Sequence, residues 1–176
     1  MRFATWLLVS AALLAACANT SARGTDLFPA LPQAEVEVAT ASGSHRFRVW
    51  IAADDRSRTR GLMFVRELPA DRGMLFLFPT PQPATFWMKN TYVPLDLVFI
   101  DPTGRVLNIG RDARPLSLAP IQSDGLVIAV LEVQAGTAAR IGLAPGDRVQ
   151  LPNLRTTFSN PDPPSPPKTK QAPFSL

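Results

Sequence analysis

Between Glu35 and Leu151 the apolar residues come mostly in short runs, alternating or continuous, that glycine and proline cut off before a long helix could form. Val36 and Val38 alternate with Glu35 and Glu37. After Ser42-Gly43 the pattern resumes, with Phe47, Val49 and Ile51 between Arg46, Arg48 and Trp50, which predicts a hairpin. Met74 to Phe78, ended by Pro79, and Phe86 to Met88, after the turn Pro81-Gln82-Pro83, have the length of buried strands. Leu95 to Ile100 and Arg105 to Ile109 flank Asp101-Pro102-Thr103-Gly104 and predict a second hairpin. Leu126 to Val133 and Arg148 to Leu151 read as the last strands, and Arg111 to Asp124 as a loop without clear period.

Two helical stretches interrupt this pattern. Asp54 or Asp55 can cap a helix over Arg56 to Arg66, with Leu62, Met63 and Val65 on its apolar side and Gly61 as its weak point. Gly136 to Ile141 predicts a shorter one. The expectation is a mainly β fold: a compact antiparallel barrel or sandwich of seven to eight short strands with one or two short helices, since closure or stacking hides sheet edges.

Both ends of the chain differ from this middle. Residues 1–17 hold an apolar stretch, Phe3 to Ala16, too short to span a bilayer, closing in Leu14-Ala15-Ala16-Cys17. That ending resembles a bacterial lipobox. The resemblance implies a signal peptide removed before Cys17, a thiol alkylated by a diacylglycerol and an acylated amino group, hence a stable membrane anchor. The alternative is an ordinary signal cut after Ala18 or Ala22. Ala18 stands where enterobacterial lipoproteins kept at the inner membrane carry aspartate, so a periplasmic protein anchored to the outer membrane is expected. Residues 18–33 read as a tether, 34–155 as one domain and 156–176, with Pro161, Pro163, Pro164, Pro166 and Pro167, as a disordered tail.

Cys17 is the sole cysteine, which excludes disulfides and thiolate metal sites from the folded part. The 46% apolar content suffices for an ordinary core. Removing Arg2 with the signal leaves seventeen basic residues against fourteen acidic ones, too small and scattered a surplus to indicate nucleic acid.

The densest motifs are Arg60-Gly61-Leu62-Met63-Phe64, Gly73-Met74-Leu75-Phe76 and Phe86-Trp87-Met88-Lys89-Asn90-Thr91-Tyr92-Val93-Pro94-Leu95-Asp96. With Val130-Leu131-Glu132, Gly136, Gly142 and Gly146-Asp147 they resemble the bacterial and archaeal family known as domain of unknown function 192, over roughly residues 35 to 151. The resemblance implies a mainly β, barrel-like fold and no established activity. Ala135 to Asp147 also looks locally like the turn-helix-turn of PDZ modules, but the carboxylate-binding loop of those modules is missing.

Arg60, Trp87, Lys89, Asn90, Thr91 and Asp96 place hydrogen-bonding groups and a stacking face beside apolar strands, as at the rim of a pocket. The bland alternative is that Asn90-Thr91 satisfies its own turn and Asp96 pairs with Arg60 or Lys89. The expected role is non-catalytic binding of a small polar ligand or an envelope partner, with no cofactor. Two alternatives compete. One is a small envelope hydrolase using Asp96 or Lys89, which needs burial to tune either group. The other is monovalent copper held by Met63, Met74, Met88 and His45, residues whose commoner use is core packing.

Overall fold

The computed structural model describes residues 27, 28 and 30–152. The signal segment with Cys17, most of the tether and the proline-rich tail lie outside the described residues. Strands β1 (Gln33–Thr40) and β2 (Gly43–Ala52) form the first hairpin, and α1 (Asp55–Arg60) leads to β3 (Arg72–Gln82) and the short β4 (Thr85–Phe86). A second hairpin, β5 (Leu95–Ile100) and β6 (Val106–Ala113), is followed by β7 (Ile121–Gln122), β8 (Val127–Gln134), α2 (Thr137–Arg140) and β9 (Arg148–Gln150).

Seven strands form one sheet in the order β6-β5-β8-β3-β2-β1-β9, curled into a half-barrel, while β4 and β7 make a small second sheet. The two edges meet at one end. There Arg105 bridges Arg148, and the Val106 amide donates to the Asp147 carbonyl at 2.8 Å. The fold is the mainly β one expected, with one pairing that differs: β2 and β3 run parallel. Residues 53–71 between them are long enough for the crossover a parallel pair requires.

Within that crossover the helix is shorter than the apolar spacing predicts. Asp54 closes a capping box with Ser57, and the helix stops at Gly61, whose φ of 47° and ψ of −143° suit glycine alone. Met63 then donates to the Arg60 carbonyl and Val65 to that of Leu62, so the stretch carrying Leu62 and Val65 is a chain of turns laid on the sheet.

The sheet buries both faces. Val38, Phe47, Val49, Leu75, Val98, Leu131, Val106 and Val149 share one cluster, and because the last two come from opposite edges this face lies inside the curl. The outer face carries Trp50, Met74, Phe76, Leu97, Phe99 and Val130, covered by Leu62, Val65 and Leu68 after α1 and by Met88 and Val93 after β4. A single residue of register decides which side chain goes to which face.

Candidate functional site

On β8 the alternation that sends Leu131 and Val133 inward sends Glu132 to the outer face, opposite Met74 on β3 and Leu97 on β5. Glu132 is only 5% exposed. Among the described residues no hydrogen bond or ion pair reaches its carboxyl, and burial alone pushes its pKa up to about 8. At neutral pH it is mainly a neutral acid, able to donate one hydrogen bond and accept others.

Glu132 is reached through an open cavity of about 640 Å³ between the turn after α1 and the segment after β4. That volume is typical of sites for small molecules. Phe76, Phe78, Phe86 and Trp87 supply its aromatic walls. Phe86 meets Phe76 edge-on at 5.0 Å and Phe99 at 6.1 Å, so the wall is anchored in the outer core.

Five of the six residues singled out from sequence, Arg60, Trp87, Lys89, Asn90 and Thr91, line this cavity. The Phe64 amide donates to the Asn90 carbonyl at 2.8 Å, stitching the two covering segments together. The Arg60 guanidinium lies over Phe64 at 4.9 Å and the Lys89 ammonium over Trp87 at 5.4 Å, leaving both cations at the rim without a carboxylate partner among the described residues. The Asn90 amide nitrogen points to Met63 Sδ at 3.9 Å, and the Thr91 hydroxyl turns back to the Lys89 carbonyl at 3.3 Å.

Asp96 is not brought to the cavity. It faces the inside of the curl, where Oδ1 accepts the Asp112 amide at 2.9 Å and Oδ2 the Ala138 amide at 2.8 Å. Neither Arg60 nor Lys89 pairs with it. Gly136, the N-cap of α2, has no side chain to offer, so Asp96 caps that helix from a distant strand. The copper set is also dispersed. Met74 and Met88 are buried in the outer core, whereas His45 sits at the tip of the first hairpin with Thr40 and Ser42, about 16 Å of strand from the Trp50–Met74 pair. No group of three or more His, Cys, Asp or Glu among the described residues is arranged to hold a metal.

Glu132 carried a signal that the sequence reading left unused. It is the one ionisable residue in Val127 to Val133, a run otherwise apolar enough to be buried on both faces.

The fold and cleft define a class: a curled sheet domain with an aromatic-walled cavity on its convex face, floored by a solitary buried acid. The chain belongs to the DUF192 family, described as an uncharacterized ACR, whose model matches residues 37–151. It is similar to a protein of unknown function from Novosphingobium aromaticivorans DSM 12444, solved at 1.22 Å, with 41% identity and a TM-score of 0.70 over 73% of this chain and 91% of that one. It is also similar to a Sinorhizobium meliloti 1021 protein described as a "putative transcription regulator", with 44% identity and a TM-score of 0.66 over 68% of this chain and 94% of that one. The match takes in nearly all of the Sinorhizobium chain, so in that protein a unit of this extent folds without counterparts of the end segments of this chain. No curated protein matches the chain.

Proposed function

We propose that the protein is an exported, lipid-anchored binding protein of the bacterial envelope, and that the Glu132 cavity holds a small polar ligand without chemical change. The observation carrying this reading is the unpartnered Glu132 carboxyl at the floor of an open, aromatic-walled space. The carboxyl opens onto the cavity and makes no hydrogen bond to any described residue, so a ligand entering there can complete those bonds. Arg60 and Lys89 at the rim favour a ligand with an anionic end, while Phe86 and Trp87 offer faces for a sugar or planar ring.

The test is a thermal-shift panel of neutral sugars, sugar acids and short carboxylic acids, run on residues 27–152. A ligand that binds should raise the melting temperature at pH 6 and do so far less above pH 9, where Glu132 no longer donates. Glu132→Leu should abolish the shift and Glu132→Gln should retain it without the pH dependence. Stabilisation equal in wild type and Glu132→Leu would exclude this floor as the site. Labelling with a fatty-acid analogue tests the anchor separately, and label persisting in Cys17→Ser would overturn it.

The hydrolase reading survives in altered form. Asp96 lies away from the cavity and holds two backbone amides, but the Glu132 carboxyl, raised to about 8, is suited to donate a proton. No second carboxylate lines the cavity, so the paired acids of glycoside hydrolysis are missing from it. Turnover of a panel compound that Glu132→Gln abolishes would favour this second reading over simple binding.

A further inference from the structure

The mouth of the cavity has a property that ligand binding does not require. Seven large apolar side chains stand exposed among the described residues, and all but Leu126 gather on this side: Leu27, Phe64, Trp87, Tyr92, Leu116 and Leu118. They are joined through the backbone and rings. Leu116 donates to the Thr91 carbonyl at 3.1 Å, Met88 to that of Ser117 at 2.9 Å, and the Phe64 and Tyr92 rings meet at 6.3 Å. A groove lined by Leu27, Phe28, Arg60 and Phe64 brings the first described residues to the same rim.

Two further observations mark this patch. Phe64 and Leu116 have φ of 67° and 62°, a left-handed conformation that side chains with a Cβ avoid, and both leave about half of their apolar side chains exposed in the isolated molecule. The apolar groups are also interleaved with cations: Arg60 over Phe64, Lys89 over Trp87 at 5.4 Å and Arg66 over Tyr92 at 5.2 Å, with Arg114 in the adjoining loop. Against these four stand Glu67 and Asp112.

We infer that this rim is a membrane-docking surface, which seats Phe64, Trp87, Tyr92, Leu116 and Leu118 in the interface of an anionic bilayer and turns the mouth of the Glu132 cavity toward the lipid. Tryptophan, tyrosine and leucine mixed with arginine and lysine match the chemistry of that boundary, where rings sit at headgroup depth and long cations reach phosphates. A second copy of the chain would bring like charges together. The path of the chain agrees. Nine residues lie between Cys17 and Leu27, ten Cα steps with a reach of at most about 36 Å, so an acyl chain on Cys17 would tether the protein by the rim that is to dock. The anchor belongs to the function proposed above, whereas the docking chemistry lies wholly within residues 27–152 and is testable without it.

Residues 27–152, which lack Cys17, are sedimented with vesicles of phosphatidylcholine alone or mixed with phosphatidylglycerol. Binding is expected to the anionic vesicles and to weaken strongly when salt rises from about 0.1 M to about 1 M, as the Debye length falls from ~10 Å to ~3 Å. Tryptophan emission should shift to the blue on binding, reporting Trp87, because Trp50 is already buried. Arg66→Gln and Lys89→Gln should each lower partitioning roughly fivefold, the equivalent of about 1 kcal/mol per cation. The double variant Leu116→Ala with Leu118→Ala should lower it further, while Arg148→Gln on β9 should change nothing. A folded protein that stays in the supernatant with anionic vesicles overturns the inference. Binding indifferent to the rim variants, or self-association through the rim in place of lipid binding, overturns it equally. Each of these failures leaves the acylation of Cys17 standing.

Discussion

Asp96 and Glu132 are buried carboxyls on adjacent strands of one sheet, paired through register with each other's neighbours, yet they face opposite sides and have opposite circumstances. Asp96, inside the curl, receives two backbone amides. Glu132, on the convex face, receives no hydrogen bond from any described residue, and its proton is held by burial alone. A buried acid whose two oxygens each hold a backbone amide, away from any cavity, is a structural part, because it ties β5 to the turn at Asp112 and to helix α2. A buried acid at the floor of a cavity keeps its valences open toward whatever enters.

The largest expected effect is the pH dependence of stability that Glu132 imposes. Below the ordinary carboxyl range both folded and unfolded chains keep the Glu132 proton, so burial of the neutral acid adds no pH-dependent cost. As pH rises toward about 8 the unfolded chain loses that proton while the folded chain retains it, and stability falls across this window before levelling off. Glu132→Gln, which cannot ionise, should therefore raise unfolding free energy by on the order of 4 kcal/mol at pH 9 and by little at pH 5. Urea unfolding at the two pH values measures it. A gain equal at both would mean that something other than ionisation is at work.

At Asp96 substitution should destabilise rather than stabilise. Asp96→Ala leaves the amides of Asp112 and Ala138 without their acceptor, at a cost of roughly 3 kcal/mol. Asp96→Asn should cost less, since one oxygen still accepts while its NH₂ opposes the second amide. Chemical denaturation of the pair checks the ranking. If Asp96→Ala were neutral, the contrast between the two acids would collapse.

What the sequence made legible follows the same division. Alternation in Val36 to Ile51 and the Pro-Thr-Gly turn at residues 102–104 specify hairpins locally, and β1/β2 and β5/β6 form there. The motifs around Arg60 and Lys89 lie on the two segments that cover the outer face, so five of six chosen residues meet at one cavity. Asp96 was misplaced because its partners are an amide 16 residues away and another 42 away, contacts that no local pattern encodes. Glu132 was passed over because an apolar run reads as buried as a whole, and only the pairing of β8 between β3 and β5 fixes which face each residue joins. The parallel β2/β3 pair was equally hidden, since strand direction depends on the path of the crossover rather than on either strand's residues.

The two helices offer the smallest and finest test. Helix α1 is capped by its own chain: Asp54 accepts the Ser57 amide at 2.9 Å, and Ser57 returns a bond to the Asp54 amide at 3.2 Å, a pattern visible in sequence. Helix α2 takes its cap from Asp96 on β5, with β6, β7 and β8 lying between the two in sequence. Asp54→Ala should therefore cost only about 1 kcal/mol, the usual worth of a helix cap, since it frees the single Ser57 amide, whereas Asp96→Ala frees the amides of both Asp112 and Ala138. The Ser57 amide also holds the Asp54 carboxyl below its ordinary range, so this cap is present at neutral pH and weakens only as acid protonates it. Asp54→Ala should thus leave the loss of stability between about pH 5 and pH 8 unchanged, since that slope belongs to Glu132. Unfolding measured across that range in Asp54→Ala, Glu132→Gln and the double variant would show the slope vanishing with Glu132 alone.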